Sequence, residues 1–159
     1  QAKAQAVLEK LRSKLNDDLN NTVSAVLGCD SVFEFEGEIF GKPVDTYEAI
    51  SRWRRMSSES GVLHTGHALF IQNLLKDNEE EQLIFELKLE VISTRVHFVE
   101  MTYSDIDLYV NTGEPLGCAG GFALEGRGGL LISRIEGCYS NVIGVSLPWL
   151  RKNLPSNCF

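Results

Sequence analysis

VSAVLGCDSVFEFEGEIFGKPVD, residues 23–45, opens on an apolar run, 23–27, that reads as a short buried strand leading into Gly28-Cys29-Asp30. Residues 31–35 and 38–40 flank Glu36-Gly37 and read as a hairpin, which Gly41-Lys42-Pro43 ends. Asp45, with Glu48 three residues on, forms a capping box for a helix carrying Ala49, Ile50, Trp53 and Met56. A strand, a hairpin and an amphipathic helix in direct succession point to a sheet packed against helices.

Upstream, Ala4, Val7, Leu8, Leu11 and Leu15 share one helical face, and a polar break spans 16–21. Downstream, 57–61 reads as a loop, 62–71 as a strand and 73–81 as a charged connector. Alternating apolar residues over 83–99 suit one long strand or two. Ser104 with Asp107 marks another helix start, 106–110 its body and Gly113 its stop. Nine of the 14 glycines fall from Gly113 to Gly144, which reads as loops and tight turns around a strand at 130–135. A helix over 148–154 closes the chain. With no repeat or linker, the expectation is a single α/β domain over 1–159: a twisted mixed sheet flanked by helices.

The chain has 159 residues and a net charge of −7, and 43% of it is hydrophobic, the balance of one folded domain with a real core. That acidity argues against coating a nucleic acid polymer or an anionic membrane, and no apolar run reaches about 18 residues. Cys29, Cys118, Cys138 and Cys158 form no C-x-x-C and read as four reduced thiols of a cytoplasmic protein. The chain opens on Gln1, inside an apparent helix, and residues are expected upstream.

Asp30 is the most informative residue. Placed at a strand's carboxyl end, its carboxylate suits a divalent cation or a proton from water, or equally a turn aspartate bonded to its own backbone. Lys42 can return to the neighbourhood of Asp30 after the hairpin and meet a phosphate, or be a solvated turn lysine. Asp45 is a helix cap. His64 and His67 face opposite sides of a strand with no third ligand near, so zinc is not expected, and His97 reads as a core histidine. The glycine cluster fits neither the Walker pattern nor G-x-G-x-x-G. It permits close approach of N–H groups to an anion, or simply tight turns.

Taken in order, these segments resemble the Maf family, the septum-formation-related nucleoside triphosphate pyrophosphatases, and the cyanobacterial forms most. Ala2-Lys3-Ala4 is similar to its Lys-Ala segment, Gly28-Cys29-Asp30-Ser31-Val32 to Gly-Ala-Asp-Thr-Val, and Gly41-Lys42-Pro43 with Asp45 to Gly-Lys-Pro-x-Asp. Thr65-Gly66, Thr112-Gly113-Glu114-Pro115, Ala119-Gly120-Gly121-Phe122 and Ser140-Asn141-Val142-Ile143-Gly144 complete the pattern. The resemblance implies two lobes around a nucleotide cleft, often a homodimer, and hydrolysis of a nucleoside triphosphate to monophosphate and diphosphate. It implies a hydrolase acting on acid anhydrides that clears noncanonical nucleotides.

By the same resemblance Asp30 is metal ligand, for Mg²⁺ or Mn²⁺, and proton acceptor. Lys42 and Lys3 stabilise the triphosphate charge, and Ser31 and Glu125 sit at positions tied to base selection. The rival expectation is a nucleotide-binding regulator of cell division without turnover. Two departures stand out. The family's N-terminal strand with Ser-x-x-Arg has no counterpart here, and Ser51-Arg52-Trp53-Arg54 copies only its spacing. Glu125 stands where thymidine- and uridine-directed members usually carry Gln, which leaves methylated guanine among the candidate bases.

Overall fold

The computed structural model describes residues 24–77 and 80–154, with positions 2, 5–7 and 9, which are helical. Five strands form one sheet in the order β2-β1-β3-β4-β5: β1 Ala25–Phe35, β2 Glu38–Phe40, β3 Ser60–Asp77, β4 Glu80–Phe98 and β5 Ile132–Glu136. Among the residues described from 24 onward, four α-helices accompany it: α1 Thr46–Met56, α2 Tyr103–Val110, α3 Tyr139–Ile143 and α4 Leu147–Asn153. The α/β class is as expected from the sequence. The sheet, however, is antiparallel and open rather than mixed. Parallel neighbours need crossovers of about a dozen residues or more. Here Glu36-Gly37 alone turns β1 into β2, with φ of 50° and 80°, and β4 begins at Glu80 where β3 has ended at Asp77.

Three local expectations change. The turn at Gly28-Cys29-Asp30 is absent, because β1 runs through it and Asp30 lies mid-strand rather than at a carboxyl end. The stretch 73–81 falls mostly within β3 and β4, since the ladder is a main-chain interaction that polar residues do not prevent. The cap of α2 is Thr102, not Ser104: the Asp105 amide donates to its hydroxyl (3.2 Å) and the Thr102 amide to the Asp105 carboxylate (2.9 Å). The glycine-rich stretch holds three short 3₁₀ helices, Glu114–Gly117, Ala119–Gly121 and Arg127–Leu131, as well as α3.

The chain divides into two compact units, Gln1–Asp30, Gly66–Val91 and Trp149–Phe159 in the first, Ser31–Thr65 and Ile92–Pro148 in the second. The first buries Val26, Ala68 and Phe70 against Phe85 and Leu87. The second holds the larger core, where Phe33 meets Phe122 edge-on at 5.2 Å and Trp53 meets Phe98 and Tyr109, each also at 5.2 Å. Helix α1 supplies Ala49, Trp53 and Met56 to that core from one face, after the Asp45 cap accepts from the Glu48 amide at 2.8 Å. The apolar parity switches along β1: Val26 is buried in the first unit, and Phe33 and Phe35, on the other parity, in the second.

Candidate functional site

In the first unit, β1, β3 and β4 together wall an open cavity of about 630 Å³. Gly28, Cys29 and Asp30 come to it from β1, Gly66 and His67 from β3, and Glu90 from β4. Asp30 is exposed where it borders the cavity. His67 is 2% exposed and packs its ring on Trp149, centroids 5.0 Å apart, which makes this the buried histidine of the three. Among the described residues no group of three or more His, Cys, Asp or Glu is placed to hold a metal ion. Asp30 from β1 and Glu90 from β4 both border the cavity, and a carboxylate such as that of Asp30 suits a hard cation that keeps its waters and arrives with phosphates. Ala2 also borders the cavity; Lys3 lies outside the described residues.

In the second unit, Ser31 and Glu125 line one cavity of about 200 Å³, with Leu63, Cys118, Phe122 and Val142 among its apolar walls. The structure therefore brings together Ser31 and Glu125, the two residues that the resemblance ties to base selection. Ser31 Oγ lies 2.8 Å from Thr65 Oγ1, which in turn donates to the Asn141 carbonyl at 3.2 Å. Asn141 is fully buried, and its side-chain amide donates to the Ile92 carbonyl (2.9 Å) and to Thr94 Oγ1 (3.1 Å).

Lys42 is exposed on the loop after β2. That loop is pinned at Gly41, whose carbonyl accepts from the Gly120 amide (3.2 Å) and the Arg52 guanidinium (2.8 Å). Arg52 also pairs with Glu48 one turn earlier on α1, and Arg54, the arginine of the Ser-x-x-Arg spacing at 51–54, lies over the Tyr103 ring 4.8 Å from its centroid. Burial pushes the Cys118 thiol up, Glu114 and Glu125 add to that, and Lys42 opposes them.

Glu114 holds the loop that carries Glu125. Its carboxylate accepts from the Gly128 amide (2.8 Å), the Arg127 amide (2.9 Å) and the Tyr109 hydroxyl (2.8 Å). It thereby caps the 3₁₀ helix Arg127–Leu131, whose own N-cap, Gly126, has no side chain to do so. A Cβ at Gly126 would stand 2.5 Å from the carboxylate, so only glycine lets the loop wrap it this closely. Burial pushes the Glu114 carboxyl up, but the Gly128 and Arg127 amides and the Tyr109 hydroxyl outweigh it and hold the group below its ordinary range. Burial and the Glu114 carboxylate push the Tyr109 hydroxyl well up.

The remaining histidines serve the sheet. His64 bonds Ser93 (2.8 Å) and Glu34 (3.2 Å), and His97, expected in the core, is half-buried and bonds Glu136 at 3.0 Å. Cys29, Cys118 and Cys138 are free thiols. No helix among the described residues is long and apolar enough to cross a membrane. Sequence reasoning passed over Thr65, Glu114 and Asn141 individually, although each lies within a motif already quoted. Their signal was motif membership alone, because, apart from Tyr109 beside Glu114, the partners named above are 13 or more residues away.

The family described as "Maf-like protein" matches residues 1–156. A protein of Prochlorococcus marinus named nucleoside triphosphate pyrophosphatase is 52% identical over 153 residues, 96% of this chain and 72% of the relative. One of Parasynechococcus marenigrum with the same name is 56% identical over 140 residues, 88% of this chain and 67% of the relative. A third, from a Synechococcus species, is 51% identical over 152 residues, covering 96% and 74% of the two chains. With a family match along almost its whole length and relatives at such identity, the chain belongs to the Maf family.

Proposed function

We propose that this chain is a nucleoside triphosphate pyrophosphatase, hydrolysing its substrate to nucleoside monophosphate and diphosphate. The observation that carries it is the identity of about half of all aligned positions with several proteins of that name. The exposed mid-strand carboxylate of Asp30 in an open cavity supplies the chemical group such a reaction needs.

In this reading a water attacks the α phosphorus while Asp30 accepts its proton, and the bond from that phosphorus to the α–β bridging oxygen breaks. The electron pair leaves with the bridging oxygen as diphosphate. Lys42 and Lys3 offset the charge that gathers on the phosphates, the largest contribution in reactions of this class. A Mg²⁺ or Mn²⁺ held by Asp30 would supply Lewis-acid charge compensation when bound. Ser31 and Glu125 face the base. Clearance of noncanonical nucleotides in the cytoplasm and a homodimeric state complete the proposal, the latter checked by light scattering.

The test is diphosphate release from a panel of canonical and modified triphosphates with Mg²⁺, for the natural sequence and for Asp30→Asn. Asp30→Asn is expected to lose at least about 100-fold in kcat with an unchanged melting temperature, since it keeps the shape and removes the proton acceptor. Near-normal turnover in that variant removes Asp30 from the mechanism. Tight triphosphate binding with no product from any substrate favours a regulator over an enzyme.

A further inference from the structure

A threonine hydroxyl has one hydrogen to donate, whereas a carbonyl oxygen only accepts. Thr65 Oγ1 stands 3.2 Å from the Asn141 carbonyl and 2.8 Å from Ser31 Oγ. Its hydrogen goes to the carbonyl, so the short contact with Ser31 is satisfied only if Ser31 is the donor. Thr65 and Asn141 are both fully buried, and the amide of Asn141 is tied to β4 through Ile92 and Thr94, so neither end of this relay is free to turn. The same Asn141 carbonyl accepts from the Gly144 amide at 3.0 Å, which fills its second lone pair. With its hydrogen committed, Ser31 shows the cavity lone pairs alone. Glu125, across the same cavity, is a carboxylate and also accepts only.

We propose that Thr65 determines which base this cavity takes: by fixing Ser31 as an acceptor, it makes both oxygen-bearing side chains of the cavity, Ser31 and Glu125, acceptors only, suited to a base edge with two adjacent donors. Guanine-type bases present such an edge, a ring N–H beside an exocyclic amino group. Uracil and thymine present one N–H between two carbonyls, and hypoxanthine has the N–H without the amino group. A carbonyl set against Ser31 or Glu125 is left unpaired, the kind of mismatch that costs most inside a cavity. The inference rests on the reading that Ser31 and Glu125 face the base, and it assigns the role of Thr65 within it.

The experiment measures kcat/KM for GTP, ITP and UTP, with affinities of their α,β-methylene analogues by calorimetry as a second readout free of turnover. The natural sequence is expected to rank GTP above ITP and UTP in both. Thr65→Val leaves Ser31 free to rotate and donate, and is expected to shrink the GTP-to-UTP ratio by about tenfold, the effect of one hydrogen bond of roughly 1.4 kcal/mol. Thr65→Ser restores the hydroxyl and keeps the ratio. A natural preference for UTP over GTP overturns the proposal, whether or not the valine variant folds. So does a Thr65→Val variant that weakens all three substrates by one common factor. Ser31→Ala separates the two levels. If that variant leaves the ranking unchanged, the base-facing reading of Ser31 fails; if it alters the ranking while Thr65→Val does not, only the relay fails.

Discussion

In the proposed reaction Glu125 and Asp30 carry their chemistry in different ways. Asp30 is useful because its carboxylate is exposed in the middle of a strand that also contributes Gly28 and Cys29 to the cavity wall. Glu125 is useful for what it lacks, a donor. Glu125→Gln adds an N–H that a base carbonyl can accept, so the preference is expected to move toward uracil and thymine triphosphates by about tenfold while the best kcat changes little. Ratios of kcat/KM across the panel check this; an unchanged ranking removes Glu125 from base selection. Asp30 stood out in the sequence as a carboxylate after an apolar run and a glycine, Glu125 only through the family resemblance. What the sequence misplaced was the strand end: the parity change between Val26 and Phe33 resembles a turn, yet β1 continues through it.

Elements matter here through what locks them together. Glu114 closes the N-terminal end of a 3₁₀ helix with two main-chain donors, 13 and 14 residues away in the chain. Glu114→Gln places an amide hydrogen against one of those donors or the Tyr109 hydroxyl, and is expected to destabilise the fold by about 1–3 kcal/mol at pH 7. Because the native carboxyl lies below its ordinary range, its ionisation contributes stability at pH values above the unfolded pKa of about 4.3, lost as the pH falls through the native pKa. Urea unfolding at pH 7 and at progressively lower pH is therefore expected to show the gap to the glutamine variant narrowing on acidification. A gap that is constant down to pH 3 contradicts the clamp. The β1–β3 pairing has its own sensitive point at Gly61, where a Cβ would lie 2.2 Å from the Phe33 ring and 2.7 Å from the Glu34 carbonyl. Gly61→Ala is expected to cost about 1–3 kcal/mol or more, read as a lower melting temperature.

Over the whole chain, the two compact units differ in what they bury. The second has an aromatic cluster of Phe33, Trp53, Phe98, Tyr109 and Phe122 in edge-to-face contact, with the Trp53 indole donating to the Gly121 carbonyl at 3.0 Å. The first has a smaller cluster around Val26, Ala68 and Phe70. Amide hydrogen exchange read by mass spectrometry is expected to show the slowest amides in β1 after Ser31, in α1 and in the last third of β4, with faster exchange over 66–72. Equal protection across both units contradicts the difference in core size.

The sequence by itself determined the α/β class, the hairpin at Glu36-Gly37, the Asp45 cap of α1 and the family, because each is written in neighbouring residues: periodicity, turn chemistry and motif order. Tertiary structure alone decided that the sheet is antiparallel, that Ser31 and Glu125 share a cavity, that Arg52 and Gly120 hold the loop of Lys42, and that Ser31 meets the buried Thr65 hydroxyl. These depend on hydrogen bonds and contacts between residues tens of positions apart. A hydrogen bond's direction, in particular, belongs to a network and not to any one residue in it.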